Sequence, residues 1–325
     1  MRARSLWLAA PGAAELRDEV LPALGDGEVQ VAALFSAISR GTECLVFRGQ
    51  VPASEYARMR CPFQEGAFPA PVKYGYCSVG RIEAGPPAML GRNAFCLYPH
   101  QDRYVVPAAA LTLVPEAVPP LRAVLAANLE TALNGLWDSG LTPGDRVSVI
   151  GAGVVGCLIA RLAARTPGCV VTVIDIDRSR AELAAALGCA FAAPDDAPGD
   201  QDIVFHASAS EAGARRALEL AGRDALVVEM SWFGARPVSL PLGEAFHSQR
   251  LRLISSQVGA LAPAKRHRFD HVRRMAVVMD LLHDATLDQL IAPPITFEAL
   301  PATLAHLASG DASVLCQPVR YDPAT

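Results

Sequence analysis

Residues 146–156 read Arg-Val-Ser-Val-Ile-Gly-Ala-Gly-Val-Val-Gly, a short apolar run followed by glycines in the spacing G-x-G-x-x-G. The run predicts a β-strand and the following residues predict a helix, so the glycines fall in the turn between them. In such a turn Gly151 permits the tight bend, Gly153 lets a pyrophosphate approach the backbone, and Gly156 allows the helix to pack closely on the strand. The diphosphate lies at the positive N-terminus of the helix. We therefore predict a dinucleotide site whose cofactor-binding residues include Gly151, Gly153, Val154, Val155 and Gly156.

An acidic residue follows the next predicted strand. Asp175 lies 19 residues beyond Gly156. A carboxylate at this place accepts hydrogen bonds from the ribose 2′-hydroxyl and repels a 2′-phosphate, so it predicts NAD as the cofactor instead of NADP. Two arginines close by, Arg178 and Arg180, weaken this discrimination, and Arg180 is included among the predicted cofactor contacts.

The chain around the glycine turn alternates between short apolar runs and helical stretches of about ten residues. This alternation predicts βαβ units, a parallel sheet and hence a Rossmann domain. Ligands of such sheets bind at the carboxyl ends of the strands. His206 ends one predicted strand and Ser231 follows another, so both are predicted to contact the cofactor.

The first third of the chain has a different character. The stretch Glu28–Ile38 predicts a strand, and prolines and glycines break up the segment after it. A chain of 325 residues also exceeds the roughly 250–300 residues at which a single hydrophobic core stops growing. The simplest arrangement is a β-rich substrate domain, residues 1–128 and 259–325, with a dinucleotide-binding domain, residues 129–258, inserted into it.

Composition excludes several classes of protein. The chain has 29 Lys and Arg against 33 Asp and Glu, a net charge of −4, and so lacks the basic surplus of a nucleic-acid or anionic-membrane binder. The longest uncharged run, residues 147–160, is too short for a membrane span, and no signal peptide is evident. The eight cysteines show no C-x-x-C spacing and predict reduced thiols. We expect a cytoplasmic protein that binds neither nucleic acid nor membrane.

Several motifs are similar to those of one enzyme family. Residues 141–147, Leu-Thr-Pro-Gly-Asp-Arg-Val, resemble its L-x-x-G-D-x-V turn, and residues 131–133 resemble its T-A-x helix segment. With the order of the domains, these motifs make the whole chain similar to the medium-chain dehydrogenase/reductase family, the zinc alcohol dehydrogenase group. The resemblance implies an α/β fold with a GroES-like β-rich catalytic domain and an inserted Rossmann domain, a doubly wound parallel sheet. Residues 36–43 and 73–80 are similar to the bacteriochlorophyllide a dehydrogenase subgroup.

The residues at the family's zinc-ligand positions differ from the family pattern. Arg40 or Ser39 replaces the cysteine of the C-G-T-D motif, Tyr76 replaces the histidine of the G-H-E motif, and Ala127 replaces the third ligand. The four-cysteine lobe that holds a structural zinc is missing. Because a catalytic zinc needs three protein ligands, we predict no zinc and no metal ligands. The alternative, a recruited metal, would draw on two cysteines, Cys44 and Cys77.

Without zinc, another group must handle the alcohol proton and the oxyanion. The resemblance places Thr42 at the hydroxyl residue that touches the substrate oxygen, and Tyr76 at a former metal ligand. A tyrosine has a pKa of about 10, which a nearby Lys73 or Arg40 would lower enough for Tyr76 to act as a base. His100 lies in a polar loop of the β-rich domain. The predicted catalytic residues are therefore Thr42, Tyr76 and His100.

Together these features predict an NAD-dependent oxidoreductase that transfers hydride between nicotinamide and a small-molecule alcohol or ketone without zinc. One alternative is an enoyl or quinone reductase, which Asp175 argues against because those enzymes usually prefer NADPH. A non-catalytic NAD-binding protein is the other. The resemblance also implies a homodimer formed through an edge strand of the Rossmann sheet.

Overall fold

The structure is a computed structural model that describes residues 2–310 and 313–322. The chain forms two compact units, the first from Met1–Ala127 with Met275–Thr325 and the second from Asn128–Arg274. No helix in the described residues is long and apolar enough to cross a membrane. Each unit is described on its own below.

Strands make up most of the first unit and alternate with helices in the second. In chain order the strands are β1 (Arg2–Ala10), β2 (Ala13–Val20), β3 (Glu28–Ile38), β4 (Glu65–Gly66), β5 (Val72–Lys73), β6 (Ser78–Ala84), β7 (Asn93–Cys96), β8 (Arg103–Pro107), β9 (Thr112–Leu113), β10 (Arg146–Ile150), β11 (Val170–Ile174), β12 (Ala190–Ala192), β13 (Gln201–His206), β14 (Ala221–Glu229), β15 (Arg252–Ser255), β16 (Ile295–Thr296) and β17 (Gln317–Arg320). The helices are α1 (Arg40–Phe47), α2 (Pro120–Ala123), α3 (Ala126–Ser139), α4 (Val154–Ala164), α5 (Arg180–Ala186), α6 (Glu211–Leu220), α7 (Ala245–Ser248), α8 (His271–Leu281) and α9 (Leu300–Ala308).

The first unit is built around β3. Its main sheet has the order β16-β17-β3-β6-β7-β9, and β8 also pairs with β3. Alternate residues of β3 point into a core in which Val29 and Val31 are fully buried, as expected for an antiparallel sheet with one face covered. The strand ends at Ile38 and the chain turns at once into α1. This strand-to-helix turn positions the polar groups described below.

The second unit contains a parallel sheet, as the alternating sequence pattern predicts. Its order is β12-β11-β10-β13-β14-β15, and every pair of neighbours in it is parallel. Ile150 at the end of β10 is in register with Ile174 and His206, and His206 is in register with Glu229. The carboxyl ends of four strands therefore meet along one edge, beside the glycine turn. This is the edge at which ligands of such sheets bind.

The second unit extends further along the chain than the sequence prediction of residues 129–258. Residues 259–274 group with it. Arg274 donates hydrogen bonds to Glu130 Oε1 at 3.0 Å and to Asn134 Oδ1 at 2.7 Å, and the ring of Phe269 packs against that of Trp137 with centroids 4.8 Å apart. These contacts hold residues 259–274 against α3. The hydrophobic periodicity of the sequence does not predict such polar and aromatic contacts.

Candidate functional site

The glycine turn of the second unit leaves no room for side chains. A Cβ on Gly156 would lie 1.9 Å from the carbonyl oxygen of Gly151, so α4 packs on β10 at a distance that only glycine permits. Gly151 has a φ of +105°, and a Cβ there would lie 2.8 Å from Cα of Ser208. Gly153 is the N-cap of α4 and makes no side-chain cap. The first turn of α4, which begins with the half-buried Val154 and Val155, thus presents an uncapped, positive helix end.

Asp175 is fixed against this turn at the end of β11. Its Oδ2 accepts a hydrogen bond from the Ala152 N–H at 2.6 Å, and its Oδ1 accepts one from the Asp177 N–H at 2.9 Å. A carboxylate has about four lone-pair positions, so each oxygen keeps one for a further donor. The side chain is half-buried. The turn and the acid together fit the diphosphate and the ribose diol of a dinucleotide.

Arg180, which was predicted to contact the cofactor, forms an ion pair with a neighbouring aspartate. Its guanidinium pairs with Asp177 at 3.3 Å, one turn earlier, and is 14% exposed. Arg178 lies on the surface, 3.4 Å from Asp196. Both arginines thus have carboxylate partners of their own, and the contact of Arg180 with the cofactor stays a prediction.

His206 occupies the predicted place at the end of β13, but its ring faces the protein. The side chain is fully buried, Nδ1 lies 2.7 Å from Glu229 Oε2, and Nε2 lies 2.6 Å from Ser208 Oγ. Both nitrogens thus have protein partners, and a contact between the imidazole and the cofactor stays a prediction. The exposed member of the group is Ser208.

Ser231 lies beside the same turn. Its Oγ accepts a hydrogen bond from the Ala209 N–H at 3.0 Å, and its own N–H donates to Glu229 Oε1 at 2.8 Å. The side chain is half-buried. Ser231 therefore supports the loop that carries Ser208, and its contact with a cofactor stays a prediction.

In the first unit, a buried acid–imidazole pair lies beneath the start of α1. Glu43 Oε2 is 2.8 Å from His100 Nε2, and the two side chains are 3% and 1% exposed. Glu43 Oε1 accepts the Ser39 N–H at 2.7 Å. Gly75, with a φ of +137°, packs on the imidazole, since a Cβ there would lie 3.0 Å from His100 Cδ2. The carboxylate is thereby fixed on both oxygens.

The other nitrogen of His100 continues the network into the core. Nδ1 lies 2.7 Å from Ser36 Oγ, which lies 2.8 Å from the hydroxyl of Tyr321. An ionised carboxylate only accepts hydrogen bonds, so Nε2 of His100 carries the proton and Nδ1 accepts from Ser36. The ring of His100 is buried with both nitrogens engaged, and it holds Glu43 in place. Its contact with a substrate stays a prediction.

Tyr76 and Thr42 form the accessible part of this region. The Tyr76 hydroxyl donates to Ser39 Oγ at 2.5 Å and also shares a hydrogen bond with Thr42. Both predicted catalytic hydroxyls are half-buried and lie together. Burial raises the pKa of Tyr76 well above its ordinary value, and the nearby Cys77 and Glu43 act in the same direction.

The two cations expected to acidify Tyr76 have other partners. Lys73 is buried and its Nζ contacts Glu19 at 2.8 Å and Glu65 at 2.6 Å, while Arg40 donates to the carbonyl oxygen of Val314 at 3.2 Å. The prediction that one of them makes Tyr76 a base is therefore corrected. Tyr76 keeps its proton and acts as a hydrogen-bond donor.

The positions compared with the family's zinc ligands are occupied by Arg40 or Ser39, Tyr76 and Ala127, and the absence of a catalytic zinc stays a prediction. Within residues 2–310 and 313–322, no group of three or more His, Cys, Asp or Glu side chains is arranged to hold a metal ion. The alternative cysteines are buried thiols. Burial raises the pKa of Cys44 to about 11 and raises that of Cys77 well above its ordinary value, with Glu43 adding to both effects.

Several members of these networks were not singled out from the sequence. They are Ser36, Tyr321, Ser208 and Glu229. The partners are distant in the chain: the sequence separation is 64 for Ser36 and His100 and 285 for Ser36 and Tyr321. A single sequence contains no signal for such pairs, although the position of Glu229 at a strand end in the parallel sheet would have drawn attention to it.

The architecture of both units is that of the zinc-binding dehydrogenases. A protein of Sinorhizobium meliloti 1021 described as a zinc-binding dehydrogenase, solved with NADP, superposes with a TM-score of 0.78 at 17% identity, covering 98% of this chain and 99% of that one. An alcohol dehydrogenase of Escherichia coli CFT073, solved with NADH, gives 0.76 at 19% identity with 99% of both chains covered. At these identities the likeness establishes the fold alone, and it confirms the predicted GroES-like domain with an inserted Rossmann domain.

Sequence likeness is confined to a shorter stretch. Over 82 residues the chain is 40% identical to an uncharacterized zinc-type alcohol dehydrogenase-like protein of Haemophilus influenzae. That match spans 25% of this chain and 24% of the relative. No family model matches the chain.

Proposed function

We propose that this chain is an NAD(H)-dependent oxidoreductase of the medium-chain dehydrogenase/reductase family, which moves hydride between nicotinamide and an alcohol or ketone carbon without a catalytic zinc. The fold and the 82-residue likeness to a zinc-type alcohol dehydrogenase-like protein support the family and the reaction class. Two of the solved neighbours were determined with NADP and NADH, which supports a nicotinamide cofactor.

The observation that carries the proposal is the position of Asp175. Its carboxylate is held by two backbone N–H groups, at 2.6 and 2.9 Å, directly beside the glycine turn. The remaining lone pairs suit a ribose diol, and the fixed negative charge opposes a 2′-phosphate. This supports NAD as the preferred cofactor.

The hydroxyls of Thr42 and Tyr76 support the substrate chemistry. Bound nicotinamide supplies or accepts the hydride at its C4 atom. Because Tyr76 keeps its proton, its phenol stabilises a developing alkoxide by donating a hydrogen bond to the substrate oxygen. Ser39 lies 2.5 Å away and holds the phenol oriented in the absence of substrate. The Glu43–His100 pair fixes the backbone of Ser39, so it positions the donor without contacting the substrate.

The cofactor preference is tested by fluorescence titration of the purified chain with NADH and with NADPH. We expect NADH to bind at least about tenfold more tightly than NADPH, a difference of roughly 1.4 kcal/mol in binding free energy. In Asp175→Ser we expect the ratio of the two affinities to fall or to reverse. Glu182→Gln is the matched control, because it removes an exposed carboxylate of α5, seven residues along the chain from Asp175. The same ratio of NADH to NADPH affinity in Asp175→Ser and in the wild type would refute the proposal that Asp175 selects NAD.

The reaction is tested by a screen of alcohols, ketones and enones that follows NADH absorbance, with the zinc content of chelator-free protein measured on the same sample. Turnover of an alcohol or ketone by metal-free protein supports the proposal. One zinc per chain refutes the zinc-free mechanism. Turnover of enones alone refutes the proposed reaction in favour of an enoyl reductase, and tight NADH binding with no turnover of any class identifies a binding protein.

A further inference from the structure

We propose that Ser208, His206 and Glu229 form a second catalytic group, in which Ser208 is a nucleophile that accepts an acyl group from small carboxylic esters. The three side chains are called the Ser208 triad below. The proposal is independent of hydride transfer and does not need a bound dinucleotide.

The hydrogen bonds of the triad fix the proton on the required atom. Glu229 Oε2 lies 2.7 Å from His206 Nδ1, and Glu229 Oε1 accepts the Ser231 N–H at 2.8 Å. An ionised carboxylate only accepts, so Nδ1 carries the ring proton and Nε2 has a free lone pair. Nε2 lies 2.6 Å from Ser208 Oγ. The serine therefore donates to an imidazole that is oriented by an acid, which is the arrangement of an activated nucleophile.

The local structure gives this imidazole one orientation. His206 is fully buried at the end of β13, in register with Glu229 on the adjacent β14. The ring of Phe233 stacks at 6.0 Å and 24° from the imidazole. A buried base held at both ring nitrogens, within hydrogen-bond distance of an exposed serine, satisfies the geometric requirement for general base catalysis.

The start of α6 is shaped around the serine hydroxyl. A Cβ on Gly213 would lie 2.4 Å from Ser208 Oγ and 2.8 Å from His206 Nε2, so the hydroxyl fills the space that the glycine leaves. Glycine inside a helix costs about 1 kcal/mol relative to alanine, and this contact accounts for its presence here. The hydroxyl lies at the first turn of the ten-residue α6, 2.8 Å from the hydroxyl of Ser210, which caps the Gly213 N–H. The N-terminus of a helix favours nearby negative charge, such as that which develops on an ester oxygen. Ala209, the next residue, has a φ of +52°.

The reaction balances without a further reagent. Ser208 Oγ attacks the ester carbonyl carbon while its proton passes to His206 Nε2, and the bond to the leaving alcohol breaks as that alcohol takes the proton. Water then attacks the acyl-serine, gives a proton to Nε2, and the acyl carbon–Oγ bond breaks as Oγ regains a proton. The net change is hydrolysis of the ester to an acid and an alcohol.

The test is covalent labelling of the full chain by a fluorophosphonate probe in the absence of nucleotide, with peptide mapping by mass spectrometry. We expect one label per chain on Ser208, no label in Ser208→Ala, and wild-type labelling in Ser248→Ala, which removes an exposed serine elsewhere in the same unit. His206→Gln should label at least about 100-fold more slowly, the usual effect of losing a general base. Labelling on another serine that persists in Ser208→Ala, or none on wild-type protein of native circular dichroism, would overturn the proposal.

Two further variants separate catalysis from folding. Gly213→Ala keeps all three triad residues and favours the helix, yet its Cβ displaces the hydroxyl, so labelling should fall by at least about tenfold. Glu229→Gln should slow labelling by at least about tenfold, because the carboxylate that orients His206 and holds the proton on Nδ1 is lost. Arg236, which donates to the Ala209 carbonyl at 3.1 Å, and Glu211, the first residue of α6, are unchanged in both variants. Unchanged labelling in Gly213→Ala or in Glu229→Gln would contradict the triad.

A failure of the Ser208 triad can be distinguished from a failure of the proposed oxidoreductase activity. NADH affinity is measured on each variant by the same titration as above. Loss of labelling in Ser208→Ala with retained NADH binding supports the triad whatever the result of the hydride-transfer screen.

Discussion

Replacement of Arg274 by Met should destabilise the second unit strongly, because it leaves three buried acceptors without their donor. Arg274 is 2% exposed and Glu130 is 8% exposed. The guanidinium donates to Glu130 at 3.0 Å, to Asn134 at 2.7 Å and to the carbonyl oxygen of Val258 at 2.6 Å. Removing one partner of a buried ion pair costs about 3–5 kcal/mol. At roughly 2–4 °C per kcal/mol for a unit of this size, the melting temperature should fall by roughly 6–20 °C.

The assay is urea unfolding followed by tryptophan fluorescence and circular dichroism, with Arg273→Met as the matched control. Arg273 is the exposed neighbour whose guanidinium stacks 4.0 Å from the ring centroid of Phe269, and its loss should cost less than about 1 kcal/mol. Adding Glu130→Met to Arg274→Met should recover part of the loss, because the unpaired buried carboxylate is then gone. A loss below about 1 kcal/mol in Arg274→Met, or no recovery in the double variant, would refute the reasoning.

The same pair gives a dependence on pH. Burial raises the pKa of Glu130 even with Arg274 beside it, and Arg274 opposes that rise. Without the guanidinium the folded-state pKa moves further above the unfolded value. A group with a raised folded-state pKa favours the folded state at low pH and loses that contribution as the pH rises through the folded pKa. The difference in unfolding free energy between Arg274→Met and the wild type should therefore become smaller as the pH is lowered toward 5. A difference that becomes larger would contradict this prediction.

Three other outcomes are expected. Gly156→Ala, whose Cβ would meet the Gly151 carbonyl at 1.9 Å, should weaken NADH binding by at least about tenfold in a fluorescence titration, whereas Gly199→Ala, with nothing within 4 Å, should not. Tyr76→Phe should lower the rate of ketone reduction by roughly 100-fold with NADH affinity unchanged, and full activity would exclude the phenol as donor. The backbone N–H of Arg146 in β10 lowers the pKa of Asp202 in the folded state. The ionised Asp202 therefore stabilises the fold above the ordinary pKa of an aspartate, and this contribution is lost as the pH falls. Asp202→Asn should therefore flatten the fall in unfolding free energy below pH 4, as a series of urea titrations would show.

The dinucleotide-binding region is the part of the molecule that local sequence predicts well. β10, the glycine turn and α4 follow one another in the predicted order, because a strand, a turn and a helix that are consecutive in the chain are specified by periodicity and by the steric needs of glycine. Asp175 lies beside the turn because the end of β11 is in register with the end of β10. A βαβ unit places such neighbours together whatever surrounds it.

The predicted substrate-handling residues show the opposite case. His100 and Tyr76 were chosen as residue types with useful chemistry, and the fold gave them different roles. His100 is buried against Glu43, 57 residues away. Of the cations expected beside Tyr76, Lys73 pairs with two carboxylates and Arg40 donates to the carbonyl oxygen of Val314. The protonation state of a side chain and its access to a substrate depend on how deeply it is buried and on its hydrogen-bond partners. Both are determined by contacts between segments that are remote in the sequence.

The sequence by itself therefore determined the Rossmann turn, the acid beside it and the interrupted β-rich domain, since each follows from spacing along a short length of chain. Only the tertiary structure decided that His206 is hydrogen-bonded to Glu229 and Ser208, and that residues 259–274 belong to the second unit. The reason is physical: a hydrogen-bond network is set by which backbones are brought into register, and register is a property of the folded sheet.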